Sequence, residues 1–178
     1  MRIIGGKFKK KAIRPPKNFR ARPTTDMAKE SLFNILENSY NFENLKILDL
    51  FGGTGSISYE FVSRGCNDIT CVEININHYN FIKKTIFELG IQNEVHVTKA
   101  NVFNYLAKCP HQFDLIFADP PYDLKNIETI PDLVFNNKLL LPDSTLIVEH
   151  SNKTLFTNSP FLTRQKNYGS VNFSFFEI

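Results

Sequence analysis

The chain has 178 residues, of which 42% are hydrophobic and 22% charged, a composition that suits one globular domain with a sizeable core. Its longest apolar runs are too short to cross a membrane, and no apolar segment follows the basic start as it would in a signal peptide. The three cysteines form no Cys-x-x-Cys pair and the four histidines are scattered, which argues against a disulfide framework and a metal site. We therefore expect a cytoplasmic protein with no metal and no membrane partner.

Positive charge is concentrated at the start of the chain. Residues 1–25 hold nine of the 21 Lys and Arg and no acid, which leaves 12 bases against 18 acids in the remainder. A basic arm on an acidic body indicates a polyanionic partner, most often nucleic acid, although a solvated tail is the alternative. Apolar residues between the charges favour a folded arm. The candidate contacts to nucleic acid are Arg2, Lys7, Lys9, Lys10, Lys11, Arg14, Arg20 and Arg22.

In the N-terminal arm, two short β-prone pieces flank Gly5-Gly6 and predict a hairpin that ends at Pro15-Pro16. A helix follows. Thr24 or Thr25 is its predicted N-cap, with acids in the first turn near the positive end of the helix dipole, and the helix is predicted to end at about Asn38.

From Leu45 onwards the pattern alternates between strands and helices. The predicted strands are Lys46–Leu50, Ile69–Glu73, Val95–Lys99, Phe113–Ala118 and Ser144–Glu149, and the predicted helices are Ser56–Arg64, Asn77–Leu89, Val102–Lys108 and Asn126–Asn136. Crossovers of this length predict an α/β fold with a mainly parallel sheet. At the end of the chain, Thr163–Tyr168 and Val171–Glu177 flank Gly169-Ser170 and predict an antiparallel hairpin on the sheet edge.

A glycine-rich turn, Asp49-Leu-Phe-Gly52-Gly53-Thr-Gly55, leads from the first of these strands into a helix. Such a turn lets a ligand approach the backbone at the helix N-terminus, although a tight turn alone is the simpler interpretation. The dinucleotide fingerprint is incomplete, and no P-loop lysine follows. Glu73 ends the next strand, where an acid can accept hydrogen bonds from ribose hydroxyls. Together the turn and Glu73 fit either a dinucleotide or S-adenosylmethionine.

The run Phe113–Ala118 ends at Asp119-Pro120-Pro121-Tyr122, where the two prolines terminate the strand and leave a carboxylate and a ring at its carboxyl end. A strand-ending turn is again the simpler interpretation. These residues are, however, suited to methyl transfer to an exocyclic amino group. Asp119 and the Pro120 carbonyl would hold the amino hydrogens, and Tyr122 would stack on the base.

The chain resembles the class I S-adenosylmethionine-dependent methyltransferases, and more narrowly the RsmD family of bacterial 16S ribosomal RNA guanine-N2 methyltransferases. The resemblance covers nearly the whole chain. The segments that carry it are Arg2-Ile-Ile-Gly-Gly, Arg22-Pro-Thr-Thr-Asp26, Lys29-Glu-Ser-Leu-Phe-Asn-Ile-Leu36, Asp49-Leu-Phe-Gly-Gly-Thr-Gly55, Ser63-Arg-Gly65, Glu73, Asp119-Pro-Pro-Tyr122 and Lys166-Asn-Tyr-Gly-Ser170.

This resemblance implies a Rossmann-like methyltransferase sheet in residues 23–178, a basic arm in residues 1–22, S-adenosylmethionine as cofactor and 16S ribosomal RNA as partner, either naked or within an assembling small subunit. The implied catalytic residues are Asp119, Pro120, Pro121 and Tyr122. The implied cofactor-binding residues are Asp49, Phe51, Gly52, Gly53, Gly55, Glu73, Asn101 and Asp119. Asn101 departs from the family, which usually has an acid there, but its carbonyl oxygen can still accept a hydrogen bond from adenine.

We expect a monomer. Two alternatives stay open at this point. The first keeps the chemistry and changes the target to adenine N6 in DNA or RNA, or to a protein glutamine, since each presents a planar amino group. The second is a non-catalytic RNA-binding assembly factor with the same fold.

Overall fold

The central sheet is built from the apolar runs that the sequence pattern predicts, followed by a C-terminal hairpin. The computed structural model describes residues 1–16, 19 and 25–178. Its strands are β1 (Lys46–Leu50), β2 (Asp68–Glu73), β3 (Val95–Lys99), β4 (Phe113–Ala118), β5 (Leu140–His150), β6 (Leu162–Tyr168) and β7 (Val171–Phe176). Within the described ranges they form one seven-stranded sheet in the order β3-β2-β1-β4-β5-β7-β6.

Helices connect the parallel strands, and a further helix precedes β1. They are α1 (Asp26–Ser39), α2 (Ser56–Ser63), α3 (Ile76–Leu89), α4 (Val102–Leu106) and α5 (Ile130–Asn136). Thr25 is the N-cap of α1, because its side chain accepts a hydrogen bond from the amide of Ala28, and this confirms one of the two predicted caps. The last predicted helix, Asn126–Asn136, is divided, since a 3-10 turn at Ile127–Thr129 precedes α5.

Strand pairing places the carboxyl ends of five strands at one edge. The strands β1 to β5 pair in parallel, whereas β7 pairs antiparallel with both β5 and β6. The predicted α/β sheet with an antiparallel C-terminal hairpin is confirmed. In an open parallel sheet, ligands bind outside the carboxyl ends of the strands, so this edge is where a site is expected.

Apolar side chains alternate across the sheet and form two layers. On one face, α1, α2 and α3 pack on Phe117 of β4 and Ile147 of β5. On the other face, α4 and α5 pack on Ile116, Ala118 and Val148. Each strand therefore presents successive residues to opposite helical layers, and this alternation decides which strand-end side chains share a face.

The N-terminal segment folds back on itself in antiparallel pairing, as predicted, but its turn is wider than Gly5-Gly6. Arg2 bridges Ala12, the Ile3 amide donates to the Lys11 carbonyl, and the Ile13 amide donates to the Met1 carbonyl, both at 3.0 Å. Gly6 to Phe8 is a 3-10 turn within the loop. Ser63 at the end of α2 holds this loop, since its hydroxyl donates to the Gly5 carbonyl and accepts from the Phe8 amide. Gly6 has a φ of +69°, and a Cβ there would overlap the Ser63 carbonyl.

Apolar residues of this segment join the main core, since Ile3 and Ile13 are buried in the same layer as α1 and α2. The division into an arm of residues 1–22 and a domain of residues 23–178 stays a prediction. Its boundary lies outside the described residues, as do Thr24 and the predicted contacts Arg20 and Arg22.

Candidate active site

A cleft of about 1300 Å³ opens at the carboxyl edge of the sheet, between the ends of β1, β2, β4 and β5. Its wall is completed by Arg14, Pro16 and Phe19 from the N-terminal segment and by His78 and Phe81 of α3. The rings of Phe19 and His78 are stacked with centroids 4.1 Å apart. Pockets for one small molecule usually measure about 300–1,000 Å³, so the cleft has room for a cofactor together with part of a second ligand.

Backbone hydrogen bonds hold the glycine-rich turn after β1, one within the turn and one to β2. Gly52 donates to the Val72 carbonyl at 3.0 Å, and Gly55 donates to the Gly52 carbonyl at 2.6 Å. Gly53 and Gly55 have φ values of +55° and +77°. A Cβ on Gly52 would lie 2.4 Å from Cys71 Sγ, so only glycine lets the turn lie this close to β2. Because these amides are already used, the turn offers a ligand a concave backbone surface rather than a row of free donors.

Glu73 fixes the turn from the neighbouring strand. Its Oε2 accepts from the Gly53 amide and its Oε1 from the Asn75 amide, both at 2.7 Å. His78 Nδ1 lies 3.7 Å from Oε1. The carboxylate is buried at the cleft wall, and an ionised carboxylate has about four acceptor sites. Glu73 therefore keeps acceptor capacity for ligand hydroxyl groups while its orientation is fixed.

Asp49 lies beneath the turn and is buried. Its Oδ2 accepts from the amide of Ser58 at 3.1 Å and from the Ser58 hydroxyl at 2.5 Å. Burial raises the pKa of this carboxyl to about 7, because desolvation outweighs the two hydrogen bonds from Ser58. Asp49 is thus an acid that titrates near neutral pH at the floor of the cleft.

The Asp119-Pro120-Pro121-Tyr122 stretch lines the opposite side of the cleft with all four residues. The Asp119 amide donates to the Leu50 carbonyl at 3.4 Å, which continues the β1–β4 pairing by one residue. The Leu124 amide donates to the Pro121 carbonyl at 2.9 Å and closes a turn just beyond the prolines. Asp119 and Tyr122 are half-buried. Both are therefore accessible from the cleft and held by a rigid turn.

Glu149 is a cleft residue that the sequence reasoning missed. It lies at the carboxyl end of β5, it is 3% exposed, and it lines the cleft with Asp119. The signal was available, because an acid at the end of a predicted strand is the same pattern that singled out Glu73. Four strands in the order β2-β1-β4-β5 thus contribute Glu73, Asp49, Asp119 and Glu149.

Two predicted cofactor residues lie apart from this group. Asn101 is exposed and caps α4, where its side chain accepts from the Asn104 amide, and it does not occur among the described residues that line the cleft. Gly55 caps α2 behind the turn, also outside the described lining, and a Cβ there would overlap the ring of Tyr59. Phe51, with a φ of +61°, does line the cleft.

The predicted nucleic-acid contacts have different surroundings. Arg14 lines the cleft, whereas Arg2 pairs with Asp26 at 2.8 Å. Lys7 and Lys11 lie over the ring of Phe8. Lys9 and Lys10 are exposed. Among the described residues of this segment, Arg14 is thus the cation that borders the cleft, whereas Lys7, Lys9 and Lys10 belong to or adjoin the turn that packs on Ser63 at the carboxyl end of α2.

Within residues 1–16, 19 and 25–178, no group of three or more His, Cys, Asp or Glu side chains is arranged to hold a metal ion. In the same part of the chain, no helix combines the length and apolar character needed to cross a membrane.

The sheet order and the cleft at its carboxyl edge define a class I methyltransferase fold. Among solved structures, the Escherichia coli protein yhhF, described as a methyltransferase candidate, superposes with a TM-score of 0.84 at 27% identity, over 99% of this chain and 96% of that one. A hypothetical protein of Thermus thermophilus shares the fold with a TM-score of 0.87 at 22% identity, over 100% and 99% of the two chains.

A family profile described as "Conserved hypothetical protein 95" matches residues 1–177. The "Ribosomal RNA small subunit methyltransferase D" of Buchnera aphidicola subsp. Baizongia pistaciae is 32% identical over 180 residues, which cover 99% of this chain and 91% of the relative. The protein of the same name in Escherichia coli K12 is 27% identical, over 99% and 89%. The chain belongs to this family, the RsmD family.

Proposed function

We propose that the protein transfers a methyl group from S-adenosylmethionine to the exocyclic N2 amino group of a guanine in 16S ribosomal RNA. The observation that carries the proposal is the position of Asp119-Pro120-Pro121-Tyr122 in one cleft with the glycine turn and Glu73. A cofactor and an amino-bearing base would then meet in that cleft. The names of the relatives support a ribosomal RNA substrate.

The cofactor half of the cleft suits S-adenosylmethionine better than a dinucleotide. Dinucleotide phosphates need free backbone donors at a glycine turn, and the amides of Gly52, Gly53 and Gly55 already donate within the protein. In the proposed arrangement, Glu73 accepts the ribose hydroxyls. Asp49, Phe51, Gly52 and Gly53 surround the methionine part. The predicted contact of Asn101 with the adenine has no such support, since Asn101 lies outside the described lining of the cleft. The bound cofactor would supply an electrophilic methyl group on its sulfonium.

In the other half of the cleft, the residues from Asp119 to Tyr122 would position the target base. The lone pair of an exocyclic amino group is delocalised into the base, which makes the nitrogen a poor nucleophile. The Asp119 carboxylate and the Pro120 carbonyl would accept its two hydrogens and direct the lone pair towards the methyl group. Pro121 would keep the turn rigid, and Tyr122 would stack on a base that has left its helix or loop. Methylation leaves a positive charge on the nitrogen, and loss of one amino proton to water restores neutrality.

The N-terminal segment is the proposed RNA-binding element. Its cations at Arg2, Lys7, Lys9, Lys10, Lys11 and Arg14, together with Arg20 and Arg22, would contact phosphates and position the RNA without reading its sequence. Residues 1–22 would then serve as a basic arm to the methyltransferase domain of residues 23–178. Cytoplasmic ribosomal RNA, naked or in an assembling small subunit, would be the partner of the monomer.

Replacing Asp119 tests the proposal. Asp119→Ala should lower single-turnover methylation of 16S ribosomal RNA at least about 100-fold, because the amino group loses the acceptor that orients it. The substrate is RNA from cells that lack this protein, the methyl group is radiolabelled, and the modified nucleoside is identified by chromatography.

Calorimetric binding of S-adenosylmethionine to Asp119→Ala is the control, and its dissociation constant should stay within about threefold of wild type, since the turn and Glu73 are intact. Near wild-type turnover in the variant would refute the positioning role. N6-methyladenosine as the product would refute the guanine target, and no incorporation by the wild-type protein would refute the activity.

A further inference from the structure

Glu149 is a buried acid that borders the cleft, at a position where the packing of β5 does not require a carboxyl group. It is the next to last residue of β5, it is only 3% exposed, and it nevertheless lines the cleft rather than the apolar layer. A buried carboxyl group is costly unless hydrogen bonds compensate it. Because an ionised carboxylate has about four acceptor sites, one that borders a cleft can accept from a ligand as well as from the protein.

The register of β4 and β5 puts Glu149 beside Asp119. Phe117 pairs with Ile147 and Ala118 with Val148, so Asp119 and Glu149 are the next residues along the two parallel strands. Phe117 and Ile147 lie in the same apolar layer, and alternation turns Asp119 and Glu149 to that face as well. Neighbouring strands are about 4.8 Å apart, so two adjacent backbone positions present carboxyl groups to one side of the cleft.

Two adjacent acceptors match the edge of guanine. Guanine presents two donors side by side on its Watson–Crick edge, N1–H and the N2 amino group. Adenine presents its amino group beside N1, which is an acceptor. A flipped base is read by hydrogen bonds to this edge. A carboxylate facing N1 would favour guanine and leave adenine N1 opposite a second acceptor, without a proton between them.

We propose that Glu149 is a specificity-determining residue whose carboxylate accepts N1–H of the target guanine while Asp119 accepts from its N2 amino group. This inference rests on the proposed function. It adds the reason for the choice of base, which Asp119-Pro120-Pro121-Tyr122 cannot supply because any planar amino group satisfies those four residues. Sites built to hydrogen-bond one substrate group reject analogues that lack it by about 10⁴ to 10⁵ at best.

The base 2-aminopurine provides the test, because it keeps the C2 amino group and has an unprotonated N1. Two 16S ribosomal RNAs are prepared by ligation, with guanine or with 2-aminopurine at the target position, and single-turnover rates are measured for each. Wild type should prefer guanine by at least about 100-fold. Glu149→Gln should reduce this preference to less than about tenfold, since a side-chain amide can either accept from N1–H or donate to N1.

Asp132→Asn is the matched control, since this exposed acid on α5 belongs to the helical layer on the other face of the sheet. It should keep the wild-type preference. If wild type methylates the guanine and 2-aminopurine RNAs at about the same rate, the inference is overturned whatever the variants show. An unchanged preference for guanine in Glu149→Gln would overturn it as well. If the proposed function itself is wrong, the result is distinguishable, because wild type would then form no N2-methylguanosine even in the guanine RNA.

Discussion

At the scale of single residues, Asp49 is a carboxyl group whose burial makes the stability of the fold depend on pH. It is buried, and its pKa is raised to about 7 by that burial. The hydroxyl and the amide of Ser58 hold it in place. The folded state therefore binds a proton that the unfolded chain, with an ordinary aspartate pKa near about 4, releases. The protonated Asp49 carboxyl therefore contributes its whole stabilisation of the fold below the unfolded pKa, and this stabilisation is lost as the pH rises through about 7.

Asp49→Asn should remove this pH dependence. Between about pH 5 and pH 8 the free energy of unfolding of the wild type should fall by about 2–3 kcal/mol relative to the variant, because the asparagine cannot ionise and still accepts from Ser58. Urea unfolding at several pH values without ligand measures the difference. An identical pH dependence in both proteins would mean that the Asp49 carboxyl does not cause the change in the free energy of unfolding. Asp132→Asn is the control for loss of an exposed charge.

At the scale of elements, Glu60 of α2 joins the N-terminal segment to two helices. This buried carboxylate accepts from the amides of Ile4 and Gly5 at 2.9 and 2.8 Å and from the Arg64 side chain. Lys29 of α1 is also buried, with its Nζ 3.6 Å from Glu60 Oε2 and 2.7 Å from the Arg2 carbonyl. Burial lowers the Lys29 pKa and the negative charge of Glu60 opposes that shift. The segment is therefore attached through a buried ionic network.

Glu60→Ala should destabilise the protein by about 3–5 kcal/mol, because it leaves Lys29 and Arg64 without this partner and two backbone donors unsatisfied. Urea unfolding measures the loss, and faster protease cleavage between Arg2 and Lys11 would report release of the segment.

The matched control is Glu88→Ala, which removes an exposed i,i+4 ion pair with Lys84 whose side chains are 57% and 73% exposed. We expect it to cost less than about 0.5 kcal/mol. Equal effects of the two substitutions would show that burial of the network contributes nothing.

At the scale of the whole molecule, the basic N-terminal segment runs from the cleft edge of the sheet to the carboxyl end of α2. The basic N-terminal segment supplies Arg14 to the cleft wall, and the parallel strands end there. The other edge holds the amino ends of β1 and β4, with Lys46 at the start of β1 and Lys108 shortly before β4. Under the proposed function, the cations of the N-terminal segment should contribute to RNA binding, and Lys46 and Lys108 should not.

Replacing Lys7 and Lys9 together with Ala should weaken RNA binding and lower the slope of log K against log salt by about 1–2, since each phosphate contact releases counterions. Filter binding between about 50 and 200 mM salt, the range where such slopes are measured, provides the readout. Lys46→Ala combined with Lys108→Ala removes the same charge outside the N-terminal segment and should leave the slope unchanged. Equal slopes in all three proteins would contradict a basic arm that binds phosphate.

Much of this molecule was predictable from local patterns. Strand patterns and the residues around them placed β1, β3 and β4 at the bounds that the structure has, because the period of a strand and its flanking residues are local properties. The same patterns placed Asp49, Glu73 and Asp119 at strand ends. The predicted tight turn at Gly5-Gly6 is wrong, because Gly5 and Phe8 lie in a wider loop that hydrogen-bonds to Ser63, and no local pattern reveals this contact.

The sequence by itself determined which residues form strands and helices and which acids end the strands. Only the tertiary structure decided that Glu149 stands beside Asp119, that Glu73 holds the amide of Gly53, and that a buried Glu60 attaches the N-terminal segment. The physical reason is the range of the interactions. Periodicity reports the burial of each residue, whereas strand neighbours and the partners of buried polar groups are set by contacts between residues far apart in the chain, as with Ile4 and Glu60, which are 56 positions apart.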